Sequence, residues 1–135
     1  MSSPAKKILI VDDDHDFVEA VSSYPEAQDY VVVKAHEGRQ GLKVAKMERP
    51  DLIIMDIVMN ERTEGFFTVQ ELRRTAELKA VPIFVMSSLY SRITDFGVPP
   101  DSGWLAHDEF FSKPVDMPVL VEKIRQRIGG GEATA

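Results

Sequence analysis

Five residues of this sequence could do chemistry together, and each stands at the end of a short apolar segment. They are the acids Asp12, Asp13 and Asp56, the hydroxyl-bearing Ser87 and the cationic Lys113. Clustered carboxylates bind divalent cations, and one carboxylate can act as a nucleophile toward phosphorus. A hydroxyl and an ammonium group can stabilise the oxygens of a phosphoryl group during its transfer. Whether the five residues meet depends on the elements that carry them.

The apolar segments have the length and composition of buried strands. Short runs rich in β-branched or aromatic residues predict five strands, at 8–11, 30–35, 52–55, 83–86 and 110–111. Apolar residues at helical spacing predict helices at 15–23, at 38–49, from 65 to about 79, and after Asp116, which we expect to cap the last helix. We expect Pro25 to end or distort the first helix. Strands that alternate with helices predict an α/β fold with a parallel sheet covered on both faces.

Such a sheet would bring the five residues to one edge, because ligands bind beyond the carboxyl ends of parallel strands. Adjacent strands lie about 4.8 Å apart, so their terminal carboxylates would nearly touch. Two like charges ~4 Å apart repel by about 4 kcal/mol at an effective dielectric of 20, which a hard cation such as Mg²⁺ would relieve. We therefore predict that Asp12 and Asp13 hold Mg²⁺ and that Ser87 and Lys113 hold phosphoryl oxygens. Asp56 is the predicted nucleophile, although spacing alone leaves open which carboxylate has that role.

Composition restricts the classes of protein to which the chain can belong. Its 135 residues are 44% hydrophobic and 28% charged, which fits one globular domain, predicted at 1–128 with a flexible tail at 129–135. The absence of cysteine excludes disulfides and thiolate chemistry. The net charge of −6 argues against nucleic-acid binding through this domain. No apolar run suits a signal peptide or a membrane span, so we expect a cytoplasmic location without membrane contact.

Four segments together resemble the receiver domain of two-component response regulators. They are ILIVDDD at 8–14, DLIIMD at 51–56, PIFVMS at 82–87 and FFSKP at 110–114. Their order matches that of the family. The resemblance implies a flavodoxin-like, doubly wound, five-stranded parallel sheet with strand order 2-1-3-4-5.

The same resemblance assigns individual roles. It makes Asp56 the phosphoacceptor and a metal ligand. It implies that Asp13 binds Mg²⁺ directly, that Asp12 binds it through water, and that the backbone carbonyl of Val58 is a further ligand. Ser87 and Phe110 correspond to the pair of side chains that move when the family switches state.

The resemblance also implies a signalling domain, which catalyses only its own phosphorylation and dephosphorylation. We expect a stand-alone response regulator that receives its phosphoryl group from a sensor histidine kinase, a phosphotransfer protein or a small acyl phosphate. Phosphorylation would switch a surface that binds a downstream protein. A homodimer is left open.

Two alternatives remain beside this interpretation. The altered loops at Asn60 and Ser88 depart from the family pattern and favour a pseudo-receiver that binds partners without phosphorylation. The long stretch at 88–109, which we expect to be irregular, is a further departure. Asp12 and Asp14 imitate the Asp-x-Asp motif of haloacid dehalogenase-type phosphatases, although the later acidic pair of that family is missing. His15, His36 and His107 lack metal-ligand spacing, and we expect no zinc site.

Overall fold

The computed structural model describes residues 5–56, 64–87, 109–112 and 115–129. As far as β4, strands and helices alternate along these residues, as the sequence predicts. The elements are β1 (Lys7–Val11), α1 (His15–Ala27), β2 (Val31–Ala35), α2 (Gly38–Glu48), β3 (Leu52–Asp56), α3 (Glu64–Arg74), β4 (Ile83–Ser87), β5 (Glu109–Ser112) and α4 (Met117–Ile128).

The five strands form one parallel sheet in the order β2-β1-β3-β4-β5. This confirms the predicted flavodoxin-like architecture and its strand order. The direction in which successive strands are added to the sheet reverses at β1, because β2 lies on one side of β1 and β3 lies on the other. A crevice at the carboxyl ends of the strands is expected where the winding reverses. The predicted acids follow β1 and end β3, the two strands on either side of that reversal.

Two apolar layers, one on each face, hold the sheet between the helices. Leu9 and Val11 of β1 point into one layer, whose members include Ala45 of α2 and Leu72 of α3. The alternate residues of β1 enter the other layer, which contains residues of α1 and α4. Alternation follows from the pleat of a strand, and a strand that is covered on both faces is apolar throughout. This explains why the segments before the acids contain no polar residue.

Asp116 begins the last helix in the way the sequence predicts, and Asp14 begins α1 in the same way. The Asp14 carboxylate accepts a hydrogen bond from the Phe17 N–H (3.0 Å), and the Asp116 carboxylate accepts one from the Val119 N–H (3.1 Å). These bonds satisfy N–H groups that the first helical turn leaves without a partner.

The predicted end of the first helix at residue 23, before Pro25, is wrong. Helix α1 continues through Pro25 to Ala27 and has 13 residues. A proline in the last turn removes one helical hydrogen bond and leaves the earlier turns intact. Its carbonyl also accepts hydrogen bonds from the N–H groups of Gln28 (2.9 Å) and Tyr30 (3.0 Å), which close the helix end.

Helix α3 ends at Arg74, about a turn earlier than the sequence predicts. After α3 the chain forms tight turns, in one of which the Leu78 N–H donates to the Thr75 carbonyl (2.9 Å). These turns bring Leu78 into the core, where it is fully buried. The Arg73 guanidinium stabilises them by donating to the Val81 carbonyl (2.6 Å). The predicted irregular stretch at 88–109 lies almost entirely outside the described residues.

Candidate functional site

Three predicted acids meet at the carboxyl edge of the sheet. The register pairs Val11 of β1 with Met55 of β3, so the next residues, Asp12 and Asp56, are neighbours across the two strands. Asp12, Asp13 and Asp56 each offer a carboxylate oxygen, and these oxygens lie within 4.8 Å of one another. Asp12 is 1% exposed and Asp56 is 4% exposed, whereas Asp13 is partly buried. The prediction that the acids of β1 and β3 come together is therefore confirmed.

Local hydrogen bonds shape the turn that carries Asp12. The Asp12 N–H donates to the Ala35 carbonyl at the end of β2 (3.1 Å). One oxygen of its side chain, Oδ1, accepts from the Asp14 N–H (3.0 Å). The turn therefore leads directly into α1, whose positive N-terminal end favours nearby negative charge.

The donor set fits a hard divalent cation. Three carboxylates within reach of one another offer only oxygen ligands, which Mg²⁺ prefers to nitrogen or sulfur. Two of the three acids are almost fully buried, where like charges repel more strongly than they do in water. A bound dication would offset that repulsion.

Ser87 and Phe110 have positions in the sheet that the structure defines by backbone pairing. Ser87 ends β4 and pairs with Ser112 of β5, and Phe110 pairs with Val85. Asp56 pairs with Met86, so Ser87 follows the direct neighbour of Asp56. Ser87 is thus at the same edge of the sheet as the acids. Lys113 and Val58 lie outside the described residues.

Two histidines beside this edge were missed as a pair by the sequence prediction. The rings of His15 and His36 stack with their centroids 3.7 Å apart and an interplanar angle of 10°. Nδ1 of His36 lies 3.1 Å from the backbone oxygen of Asp12. The pairing of Val11 with Ala35 is the signal that could have found this contact, because the next residues on these strands are Asp12 and His36. His107 lies outside the described residues.

Among the helices that the structure describes, none has both the length and the apolar character needed to cross a membrane.

Comparison with known proteins gives a consistent result. A family model described as the response regulator receiver domain matches residues 8–125. Protein PilH of Pseudomonas aeruginosa is 30% identical over 127 residues, which cover 92% of this chain and 98% of PilH. The DNA-binding dual master transcriptional regulator RpaA of Synechocystis is 32% identical over 119 residues, which cover 88% of this chain and 47% of RpaA. The chain therefore spans about half the length of that relative.

Solved structures agree with this fold. The chemotaxis response regulator CheY4 of Vibrio cholerae superimposes with a TM-score of 0.78 at 27% identity, covering 91% of this chain and 98% of CheY4. The receiver domain of the sensor histidine kinase PA1611 from Pseudomonas aeruginosa superimposes with a TM-score of 0.80 at 20% identity, covering 93% and 99% of the two chains. That structure holds a magnesium ion in its active-site cleft.

Proposed function

The chain belongs to the response regulator receiver domain family, and on that premise we propose that it accepts a phosphoryl group on Asp56 in a Mg²⁺-dependent reaction. The observation that carries this proposal is the group of three carboxylates on β1 and β3, with oxygens within 4.8 Å of one another. Such a group has little value for stability alone, because its members repel one another. The three carboxylates have a function if they bind a dication and a phosphoryl group.

In this proposal a carboxylate oxygen of Asp56 attacks phosphorus, and an acyl phosphate forms as the bond to the leaving group breaks. The donor is a phosphohistidine of a sensor kinase or phosphotransfer protein, or a small acyl phosphate. Bound Mg²⁺ would supply charge neutralisation at the phosphoryl oxygens. Asp12, Asp13 and Asp56 would hold the ion, and the family resemblance adds the backbone carbonyl of Val58.

Other residues of the chain would hold and report the phosphoryl group. Ser87 is at the end of β4, one strand from Asp56, and its hydroxyl is proposed to bind a phosphoryl oxygen. Lys113 follows β5 directly and is proposed to bind another oxygen through its ammonium group. Ser87 and Phe110 are the proposed switch pair. Their movement would alter a surface that binds a downstream protein, and the acidity of the chain disfavours nucleic acid as the direct partner.

The phosphatase alternative loses support from the role of Asp14. That alternative rests on Asp12 and Asp14 as a pair of acids. Here the Asp14 carboxylate caps α1 by accepting the Phe17 N–H, whereas Asp56 has no role in a mechanism centred on Asp12. The family match over residues 8–125 also favours a signalling domain.

Intact-mass spectrometry after incubation with Mg²⁺ and acetyl phosphate tests the proposal. We expect one added phosphoryl group, which hydroxylamine removes because an acyl phosphate is labile to it. Asp56→Asn should take up none. Asp51→Asn is the matched control, because Asp51 lies at the opposite end of β3, where its carboxylate accepts the Lys7 N–H (2.8 Å).

Two outcomes would contradict the proposal. An adduct that persists in Asp56→Asn would place the phosphoryl group on another residue. A parent protein that binds Mg²⁺ and takes up no phosphoryl group would support the pseudo-receiver alternative, in which the domain binds partners without phosphorylation.

A further inference from the structure

We propose that His36 is a positioning residue for the Asp12 turn, and that stacking by His15 fixes the His36 ring in place. This inference rests on the proposed function, because it concerns the affinity of the Asp12–Asp13–Asp56 group for Mg²⁺. It assigns a role to two side chains outside the carboxylate group.

The contact between His36 and Asp12 has a defined chemistry. Nδ1 of His36 lies 3.1 Å from the Asp12 backbone oxygen. A carbonyl oxygen can only accept a hydrogen bond, so Nδ1 must carry the hydrogen and donate it. This requires the Nδ1–H tautomer, or the doubly protonated ring, in the folded protein.

With this bond, the backbone N–H, the backbone carbonyl and the carboxylate of Asp12 each take part in a hydrogen bond. The Asp12 N–H donates to Ala35, and its Oδ1 accepts from the Asp14 N–H. The carbonyl of Asp12 begins the peptide that links it to Asp13, the second proposed ligand. Holding that carbonyl therefore fixes the orientation of the peptide between the two acids. Groups that orient metal ligands typically influence metal affinity strongly.

His36 is itself held from two directions. Its backbone N–H donates to Oε1 of Gln40 (2.8 Å), which ties the residue to the first turn of α2. Its ring lies parallel to that of His15, the first residue of α1, at 3.7 Å. The stack therefore joins the start of α1 to the end of β2, on either side of Asp12. A ring that is held in this way keeps its N–H aimed at one acceptor.

Substitutions at residue 36 separate the N–H donor from the ring. His36→Phe keeps a ring that can stack on His15 and removes the donor. His36→Asn removes the ring and retains a side-chain N–H near the position of Nδ1. We expect His36→Phe to raise the Mg²⁺ dissociation constant, measured by titration calorimetry, roughly two- to tenfold, the effect of one lost hydrogen bond. His36→Asn should restore most of the parent affinity.

The direction of the change excludes a simple effect of charge. Any positive charge on the imidazole would repel Mg²⁺, so its removal would lower the dissociation constant rather than raise it. The Mg²⁺ concentration that gives a half-maximal rate of phosphorylation by acetyl phosphate should rise in His36→Phe by the same factor as the dissociation constant. Gln40→Ala is the matched control, because it removes a hydrogen bond to the backbone N–H of His36 and leaves both the ring stack and the Nδ1–H donor in place, so it should raise the dissociation constant less than His36→Phe does.

A cycle with His15 tests the role of the stack. His15→Ala should raise the dissociation constant less than His36→Phe does, and His15→Phe should leave it unchanged. In the His36→Phe background, His15→Ala should have no further effect, because it acts through the donor that is already lost. Independent, additive effects of the two substitutions would overturn the role given to His15.

One measurement requires no variant and therefore no assumption about folding. Long-range ¹H–¹⁵N correlation spectra of the parent identify the protonated nitrogen of each imidazole. Protonated Nδ1 at His36 is expected, and a neutral ring with hydrogen on Nε2 alone would overturn the inference. Unchanged Mg²⁺ affinity in His36→Phe, or an equal loss in Gln40→Ala, would overturn it while leaving the proposed function intact. A parent that binds no Mg²⁺ overturns both.

Discussion

Gly41 of α2 lies so close to Val11 of β1 that a Cβ on residue 41 would stand 2.7 Å from Cγ2 and 2.9 Å from Cγ1 of Val11. Real Cβ atoms essentially never approach other atoms to that distance. Val11 is fully buried, and its branched side chain has little rotamer freedom. The close approach matters for the site because Val11 is the residue before Asp12.

Gly41→Ala is expected to lower the free energy of unfolding by about 1–2 kcal/mol, since the overpacking cost exceeds the gain in helix propensity. Urea denaturation measures the change. Combining it with Val11→Ala should cost less than the two single losses together, with a coupling of at least about 0.5 kcal/mol. Additive losses would show that the two side chains do not meet.

If the three carboxylates bind Mg²⁺, Asp13→Asn should be more stable than the parent without the metal and less stable than the parent with it. Without Mg²⁺, Asp13→Asn should raise the free energy of unfolding, because it removes one of three like charges. With Mg²⁺ at a hundredfold excess over its dissociation constant, the parent should gain about 2.7 kcal/mol, and the variant should gain much less. Urea denaturation in EDTA and in MgCl₂ compares the two proteins. The same order of stability under both conditions would contradict a metal site at these acids.

Asp116, three residues after Lys113 in the sequence, provides a test of helix capping. Asp116→Ala should lower the free energy of unfolding by about 1 kcal/mol, because the Val119 N–H loses its acceptor. Asp116→Asn keeps an oxygen acceptor and should retain most of the stability. Thermal denaturation followed by circular dichroism distinguishes the variants. An equal loss in both would attribute the effect to charge rather than to capping.

Arg49, at the end of α2, has a left-handed backbone with φ of 49°. A side chain is strained in this region, and glycine is not. Arg49→Gly should therefore raise the free energy of unfolding by roughly 0.5–1 kcal/mol, after allowance for the greater freedom of glycine in the unfolded chain. Arg49→Ala, which keeps a Cβ, is the control and should show no such gain in urea denaturation.

Tyr30 predicts a loss of stability at alkaline pH. Burial raises the pKa of its hydroxyl above the ordinary 10.0, and that hydroxyl donates to the Gly129 carbonyl (2.7 Å). A group with a raised pKa in the folded state stabilises the fold below its unfolded pKa, and this stabilisation is lost as the pH rises through the folded pKa. The stability difference between the parent and Tyr30→Phe should therefore be constant below about pH 9 and shrink above pH 10. Urea denaturation across that range measures it, and a difference that grows with pH would contradict the assignment.

The framework of the fold was predictable because its signals are local. Apolar runs identified the strands, and Asp116 marked the start of α4. The end of α3 was not predictable, because it depends on Leu78 entering a core that other elements build. The prediction at Pro25 failed because a proline is tolerated in the last turn of a helix. The position of that last turn depends on the hydrogen bonds of Gln28 and Tyr30, which the sequence does not reveal.

The candidate site was likewise predictable only in part. Asp12, Asp13 and Asp56 were predicted because each follows or ends a strand, and the resemblance to the receiver family supplied their order across the sheet. The contact between His36 and Asp12 depends on the register of β1 against β2. Residues that are 24 positions apart in the chain have no sequence signal for such a contact until that register is known.

The parallel pairing of β1 with β3 also determines when Asp12, Asp13 and Asp56 can come together during synthesis. Asp12 and Asp56 become neighbours only after β2, both intervening helices and β3 have left the ribosome. Parallel strands require such a crossover, and contacts between distant residues form late in folding. In a partly unfolded chain Asp56 thus lies apart from Asp12 and Asp13, so competence for metal binding reports that β1 and β3 have paired.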